Sequence, residues 1–423
     1  MSAVSIVKQC CVVGGGPAGM MLGFLLARAG VDVAVLEKHA DFLRDFRGDT
    51  VHPSTLELMY ELGLMEEFLS LPHRKLECLV LKIGNERIRV VDLRHLPTHC
   101  KYIALMPQWD FLDFLARQGS RYGTFDLRMQ TEATDLIEEE GKIVGVRARS
   151  PQGDLDVRAR LVVACDGRHS TLRARAALQS DEFGAPMDVL WFRVTRRDSD
   201  SGEPFGHVGR GRLLIMLDRG EHWQCAYVIP KGGFARVQAE GIEAFRSRVC
   251  ALAPFLDDRL AEVSSFDDVK LLTVAVDLLR QWWRPGLLLI GDAAHAMSPI
   301  GGVGINIAIQ DAVAAANRLA VPLREGRVSG ADLQAVQDRR VWPARMTQRV
   351  QLVMQNRIVR PVLHAAQQPK APFVFKLLNA VPPLQRVPAR LLAVGFRPEH
   401  VHTPAIAKAP AQSRSRGSQA STL

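Results

Sequence analysis

The hydrophobic pattern opens with an unbroken apolar run. Residues 6–13 predict a short buried strand, Pro17 to Ala29 an apolar helix stopped by Gly30, and residues 32–36 a second strand. That is one strand–helix–strand unit. A helix is expected from Pro53 to Leu62, with proline in its first turn and Gly63 at its stop. Residues 76–93 alternate as two strands. Gln108 to Ser120 read as a helix carrying Phe111, Leu112 and Leu115 on one face, and 124–165 as several strands ending in Leu161-Val162-Val163-Ala164-Cys165.

From about 185 the helical period disappears. Runs at 189–194, 212–217 and 223–229, separated by Ser, Asp and Gly turns, predict a mostly antiparallel sheet inserted into the first domain. A helical stretch near 236–250 follows, then a buried strand at 286–290, a glycine-rich loop, and a long Ala-rich helix from Val303. Residues 331–396 are helical by period, with interruptions expected at Pro343, Pro361 and Val381-Pro382-Pro383. The expected fold is therefore α/β. A Rossmann-type nucleotide-binding domain (1–74, 101–180, 270–325) carries an inserted, mostly antiparallel substrate-binding sheet (75–100, 181–269). A C-terminal helical region (326–402) and a disordered tail (403–423), rich in Ala, Ser, Gln and Arg, complete the chain.

Composition narrows the function. With 423 residues, 47% hydrophobic and 23% charged, the chain can bury more than one core. The net charge of +9 is scattered, and neither zinc-finger spacing nor an aromatic RNA-binding signature accompanies it, so nucleic acid is set aside. Seven cysteines without a Cys-x-x-Cys pair argue against a disulfide framework, a zinc ribbon or a flavin disulfide reductase, and suit a reducing, cytoplasmic setting. No metal site is expected. The apolar stretch 12–27 contains five glycines and is shorter than the ~20 residues of a membrane span.

The first chemical motif is Gly14-Gly15-Gly16-Pro17-Ala18-Gly19, between strand and helix. Gly14 permits the turn, Gly16 admits a pyrophosphate to the helix N-terminus, and Gly19 allows close helix–strand packing. Glu37, 18 residues on at the tip of the second strand, suits ribose hydroxyls, with Lys38 beside it. A carboxylate there favours FAD or NAD over NADP. The second motif, Gly291-Asp292 through Pro299, Gly301, Gly302, Val303, Gly304, Ile305 and Asn306, follows a buried strand. It places Asp292 to bind a polyol and the Gly301–Ile305 amides to meet partial negative charge, which FAD demands and NAD does not.

With a third element, Cys165-Asp166-Gly167-Arg168-His169-Ser170, these motifs resemble the single-component FAD aromatic hydroxylases, the para-hydroxybenzoate and ubiquinone-pathway type, over roughly residues 8–400. The family's Ala-Asp-Gly appears as Cys165-Asp166-Gly167, with Ser170 and Arg173 kept. The resemblance implies that Glu37 holds the adenosine ribose, Arg47 approaches the pyrophosphate, Gln108 contacts the flavin, and Asp166 serves both flavin and nicotinamide docking. Asp292 would bind the ribityl chain, the 301–306 loop would face the pyrimidine side of the flavin, and Pro299 would lie near the substrate. It further implies NADPH or NADH as reductant, O2, a flavin C4a-hydroperoxide, and hydroxylation of a small aromatic or quinone-like ring. The substrate pocket would lie between flavin loop and inserted sheet, with Arg193, His222, Tyr227 and Thr273 as candidate lining. The Gly395-Phe396-Arg397-Pro398-Glu399-His400 segment resembles a closing motif of one subgroup.

Rival readings are a halogenase, opposed by the missing tryptophans around Cys225-Ala226-Tyr227-Val228-Ile229-Pro230; a flavin reductase or dehydrogenase of prenyl or quinone groups; and a flavin redox sensor without turnover. The basic helices after 331 (Arg345, Arg349, Arg357, Arg360 with Val350, Val353, Ile358) read first as a solvated face covering the core. Peripheral membrane contact is the weaker reading.

Overall fold

The computed structural model describes residues 4–43, 50–200 and 202–407. β1 (Val4–Val13) feeds α1 (Pro17–Arg28), which ends before Gly30 at φ +83°, and the chain returns as β2 (Val33–Leu36). α2 (Pro53–Glu61) has proline at its first position, and left-handed Gly63 follows it. The hairpin β3 (Cys78–Ile83) and β4 (Glu86–Asp92) departs for a second sheet. The chain then returns as α3 (Gln108–Gly119), β5 (Phe125–Arg128), β6 (Glu132–Glu139), β7 (Lys142–Ser150) and β8 (Gly153–Ala164).

The second sheet takes up β9 (Met187–Thr195), β10 (Gly206–Gly209), β11 (Arg212–Asp218) and β12 (His222–Pro230), covered by α4 (Ile242–Leu252), and then β13 (Lys270–Leu272). β14 (Leu287–Leu289) re-enters the first sheet. The chain then forms the helices α5 (Gly304–Glu325), α6 (Gly330–Met354), α7 (Phe373–Ala380) and α8 (Arg386–Ala393), with a short helix, Arg360–Leu363, after α6.

The first sheet runs β14–β8–β1–β2–β5 in parallel, with the short strand Trp283–Arg284 antiparallel at the β14 edge and the β6–β7 hairpin joined antiparallel to β8. Cys10, Cys11 and Val12 on β1 are fully buried, as are Leu287, Leu288 and Leu289 on β14. Such strands, covered on both faces, read as continuous apolar runs, which is why they were visible in the sequence. All seven strands of the second sheet, ordered β13–β9–β12–β11–β10–β3–β4, pair antiparallel except β10 with β3. β13 belongs to this sheet by pairing, although sequence placed residues from 270 in the nucleotide-binding part.

Alternation sorts the two faces of the second sheet. Leu190, Phe192, Cys225 and Tyr227 pack outward under α4 and Phe245, while Val189, Trp191, Ala226 and Val228 face inward with Ile300.

Three expectations fail here. Pro361 lies inside the short helix Arg360–Leu363, which continues α6 through a π turn at Gln355–Val359. Pro343 does not interrupt its helix, since α6 runs unbroken from Gly330 to Met354. A mid-helix proline costs about 3 kcal/mol, and buried side chains anchor the helix on both sides of it. Gln337 accepts from Trp282 N, Gln348 donates to Asp277 O and Ala296 O, and Gln351 donates to Ser298 O. Nor does the packed chain stop at 402. Thr403 is buried and accepts from Arg28, and Ile406 N donates to Arg28 O. The expected tail beyond 407 lies outside the described residues.

Candidate flavin site

The carboxyl ends of β1, β2, β8 and β14 meet at one edge of the parallel sheet, where a doubly wound fold binds its ligand. Gly14 stands at φ +105°, and a Cβ there would lie 2.4 Å from Cys165 O. A Cβ on Gly19 would lie 1.9 Å from Gly14 O, so both positions require glycine. Gly16 differs, because a Cβ there would meet nothing within 4 Å. Open space therefore fronts the first turn of α1, where Pro17 is the first residue, Ala18 is buried and no side chain caps the helix. That cradle fits a pyrophosphate.

At the tip of β2, Glu37 is buried and takes Gly15 N on one carboxylate oxygen and His39 N on the other, each at 2.9 Å. A carboxylate oxygen can accept more than one donor, which suits ribose hydroxyls. Lys38 is exposed. Arg47 lies outside the described residues.

The middle motif locks the glycine turn to the second loop. Ser170 Oγ caps the short helix Thr171–Arg175, and Asp166 Oδ2 accepts Leu172 N at 3.2 Å. Asp166 Oδ1 is buried without a partner, an acceptor in want of a donor. Burial raises the Asp166 pKa, only partly offset by its bonds to Ser170 and the turn amides. Arg173 donates to Arg168 O (2.8 Å), Asp277 (3.2 Å) and Ala293 O (3.5 Å). Arg168 in turn reaches Asp292 at 3.5 Å. Asp292, its side chain 34% exposed, stays accessible to a ligand.

Left-handed Gly301 (φ +79°) and Gly302 (φ +63°) turn the loop back into α5. Thr50 Oγ1 donates to Gly302 O, and a Cβ on Gly302 would lie 2.7 Å from that oxygen. Asn306 is buried, and its side chain is fully engaged by protein. It accepts His52 N (2.9 Å) and Thr55 Oγ1 (2.8 Å) and donates to Thr50 O (3.1 Å). Its side chain is thus a clamp on the loop, and only its backbone can face a flavin. Val303 is buried, Ile305 packs on the main core, and Gly304 opens α5 beside open space. Pro299 is half-buried, and the adjoining Ile300 packs against the inward face of the second sheet. Gln108 opens α3 directly after strand Ile103–Leu105, whose Leu105 pairs with Thr50.

The candidate lining residues separate. Tyr227 is not in the pocket, since its register turns it outward onto Phe245. Thr273 lies at the flavin motifs, its carbonyl accepting Arg168 at 3.4 Å. Arg193 and His222 share the inward face, at the strand ends away from Thr273. Trp191 went unnoticed in the sequence. It faces inward with Leu213 and Ile215, and its Nε1 is buried without an acceptor. A cavity of about 380 Å3, between Lys82, His207, Arg212 and Leu252, is set apart from this site.

Beneath the loop lies a buried ionic network. Asp311 takes His295 Nε2 at 2.5 Å, Gly291 N at 3.1 Å and Arg340 Nε at 2.8 Å. Arg340 also reaches Glu399 and Arg397 O, both at 3.3 Å, and Arg339 reaches Glu399 at 2.6 Å. Burial works against the Asp311 charge, but His295 and Arg340 outweigh it and hold the carboxyl below its usual range. The closing segment 395–400 thereby gains a physical role as the outer counter-ion of the aspartate loop. Gln348, Gln351 and Gln355 meet the loop at Asp277 O, Ala296 O, Ser298 and Ile300 O. Their spacing of three and four marks one helix face, which in a basic, proline-bearing helix resembles an exposed one. Among the described residues, no His, Cys, Asp or Glu group of three or more suits a metal ion.

A parallel sheet whose glycine turn, Asp-Gly-Arg segment and aspartate loop converge on one crevice defines a flavin-dinucleotide-binding protein. A family model described as an FAD binding domain matches residues 8–350. The 6-methylpretetramide 4-monooxygenase of Streptomyces rimosus is 34% identical over 389 residues, spanning 91% of this chain and 92% of that protein. The p-nitrophenol 4-monooxygenase PnpA of Pseudomonas putida DLL-E4 superposes with a TM-score of 0.73 at 20% identity, covering 93% of this chain and all of that one. The flavin-dependent brominase Bmp2 superposes with 0.74 at 16% identity, over 93% and 95%. The chain belongs to the family of single-component FAD-dependent aromatic hydroxylases, and is an FAD-dependent oxidoreductase of the monooxygenase class.

Proposed function

We propose that the chain hydroxylates an electron-rich aromatic or quinone-like ring. One atom of O2 enters the substrate, the other leaves as water, and NAD(P)H with a proton supplies the two electrons. The observation that carries this reading is the meeting of Asp292, Arg168 and the Pro299–Ile300 loop with the inward face of the second sheet. Bound FAD supplies the redox and oxygen-activating chemistry. The chain's own residues bind and orient. Glu37 takes the ribose, the first turn of α1 the pyrophosphate, and Asp166 and Asp292 the polyol. The amides of Gly301 to Ile305 meet the ring's partial negative charge, and Gln108 contacts the flavin.

Ile300, Leu213 and Ile215 supply an apolar wall that excludes water from the reacting ring. Trp191 Nε1, buried and lacking an acceptor, donates to a substrate oxygen and sets ring orientation. The 34% relative is named a 6-methylpretetramide 4-monooxygenase, which supports the monooxygenase reading here.

The test is a screen of phenolic and quinone-like compounds for accelerated flavin reduction by NADPH and by NADH, with O2 uptake and product followed together. Hydroxylated product formed in proportion to O2 supports the proposal. Oxidation of NAD(P)H with reduced quinone and no oxygenated product overturns it in favour of a reductase.

A further inference from the structure

The chain's excess of positive charge has a single address. Residues 339–398 hold eleven Lys and Arg and no Asp or Glu, which leaves 43 basic against 45 acidic residues elsewhere. Arg339 and Arg340 turn inward to Glu399. Among the described residues Lys376 pairs with Glu86, while Arg345, Arg349, Arg357, Arg360, Lys370, Arg386 and Arg390 pair with no carboxylate, and all seven are exposed.

Apolar side chains stand among these cations. Phe373 on α7 is 78% exposed and Val374 62%, Val387 on α8 is 69%, and Leu377 on α7 and Leu384 in the turn between the two helices are near 40%. These residues are not loosely attached. Phe375 packs on Ile83 and Ile88, Asn379 accepts Arg89 N of β4, and Ala389 and Ala393 are fully buried. One face of each helix therefore docks on the sheet edge, and the opposite face is presented rigidly to solvent. A grouped, exposed apolar surface is the informative exception to ordinary burial.

We propose that this surface docks the enzyme on an anionic membrane leaflet, with Phe373, Val374 and Leu377 entering the headgroup–acyl boundary and the unpaired cations meeting lipid phosphates. A short helix with apolar residues on one side and Lys and Arg around it has the composition of an interfacial anchor. A second copy of the chain is a poorer occupant, because a two-fold contact would set seven unpaired cations against their own images. Among the described residues no helix is long and apolar enough to cross a membrane, so the contact is peripheral. The proposal concerns where the enzyme works and stands apart from which ring it hydroxylates.

Flotation of the full-length holoenzyme tests it, with phosphatidylcholine vesicles and with vesicles that also contain phosphatidylglycerol. The protein floats with the second kind only and is released by salt. Arg386→Gln and Arg390→Gln each weaken binding about fivefold. The pair Phe373→Glu and Val374→Glu abolishes binding while flavin content and hydrodynamic size stay unchanged. Absence from phosphatidylglycerol vesicles overturns the proposal, as does flotation that survives Phe373→Glu with Val374→Glu. If that pair instead converts a dimer into a monomer, the surface belongs to a second copy and the membrane reading falls.

Discussion

Arg340→Met removes a buried cation that joins the network beneath the aspartate loop to the C-terminal segment, while keeping most of the side-chain volume. Arg340 is 1% exposed and lies between Asp311, fully buried, and Glu399. The substitution leaves two carboxylates in a dry interior. Asp311 retains His295 and Gly291 N, and Glu399 retains Arg339. Removing one partner from a buried pair costs about 3–5 kcal/mol, against a total stability of about 5–15 kcal/mol for a typical fold. The residual partners put the expectation at the lower end, about 3 kcal/mol.

Two readouts separate a local from a general effect. Urea unfolding gives the stability loss. Flavin fluorescence, quenched in the site and recovered on release, reports the loop, because Asp311 also holds Gly291 N next to Asp292. Arg340→Met combined with Glu399→Gln removes one of the stranded charges and should cost less than the sum of the two single changes. If Arg340→Met loses under about 1 kcal/mol and retains FAD as the parent does, the network does not position the loop.

Asp292→Ala should yield largely flavin-free protein, and a visible absorbance at one FAD per chain would contradict its polyol role. Glu37→Gln removes a charge-assisted acceptor from the ribose and from Gly15 N, and FAD should bind about 10- to 100-fold more weakly; unchanged affinity by titration rejects the assignment. Trp191→Phe should raise KM about tenfold with kcat little altered for a substrate bearing an oxygen acceptor, and equal KM values would remove it from the pocket. His52 is buried with Nδ1 on Leu392 O, and burial lowers its pKa from 6.5 to about 4. The unfolded chain binds that proton first, so stability is complete above pH 6.5 and falls by about 3 kcal/mol as pH drops toward 4. His52→Gln should flatten this slope in urea midpoints, and parallel slopes for parent and variant would refute it.

The nucleotide-binding half was legible because its signals are local. Glycines forced by contacts of 1.9 and 2.4 Å, and strands buried on both faces, leave marks within a few residues of themselves. The second sheet's existence was legible from its turns, but not which way each strand faces the flavin, since alternation gives two faces without labelling them. Tyr227 was assigned to the pocket and Trp191 overlooked for that one reason. Asn306 was read as part of the 301–306 loop, but it lies in the first turn of α5, and its role as a clamp depends on Thr50, His52 and Thr55, some 250 residues earlier. The glutamines of α6 carried the weakest signal. Polar residues at helical spacing imply solvent unless a partner backbone is known, and here the partners are carbonyls at 277–300.

The shared fold of a nitrophenol monooxygenase and a brominase shows that the nucleotide crevice does not choose the reaction. In this chain the Pro299–Ile300 loop is held from behind by Gln351, which donates to Ser298 O and Ile300 O, and in front by packing of Ile300 on the second sheet. Pro299 and Ile300 are therefore positioned by the helix that also bears Arg345 and Arg349, at the start of the basic surface. The link is made by hydrogen bonds of 2.7 to 3.0 Å from Gln348, Gln351 and Gln355 to Asp277 O, Ala296 O, Ser298 and Ile300 O.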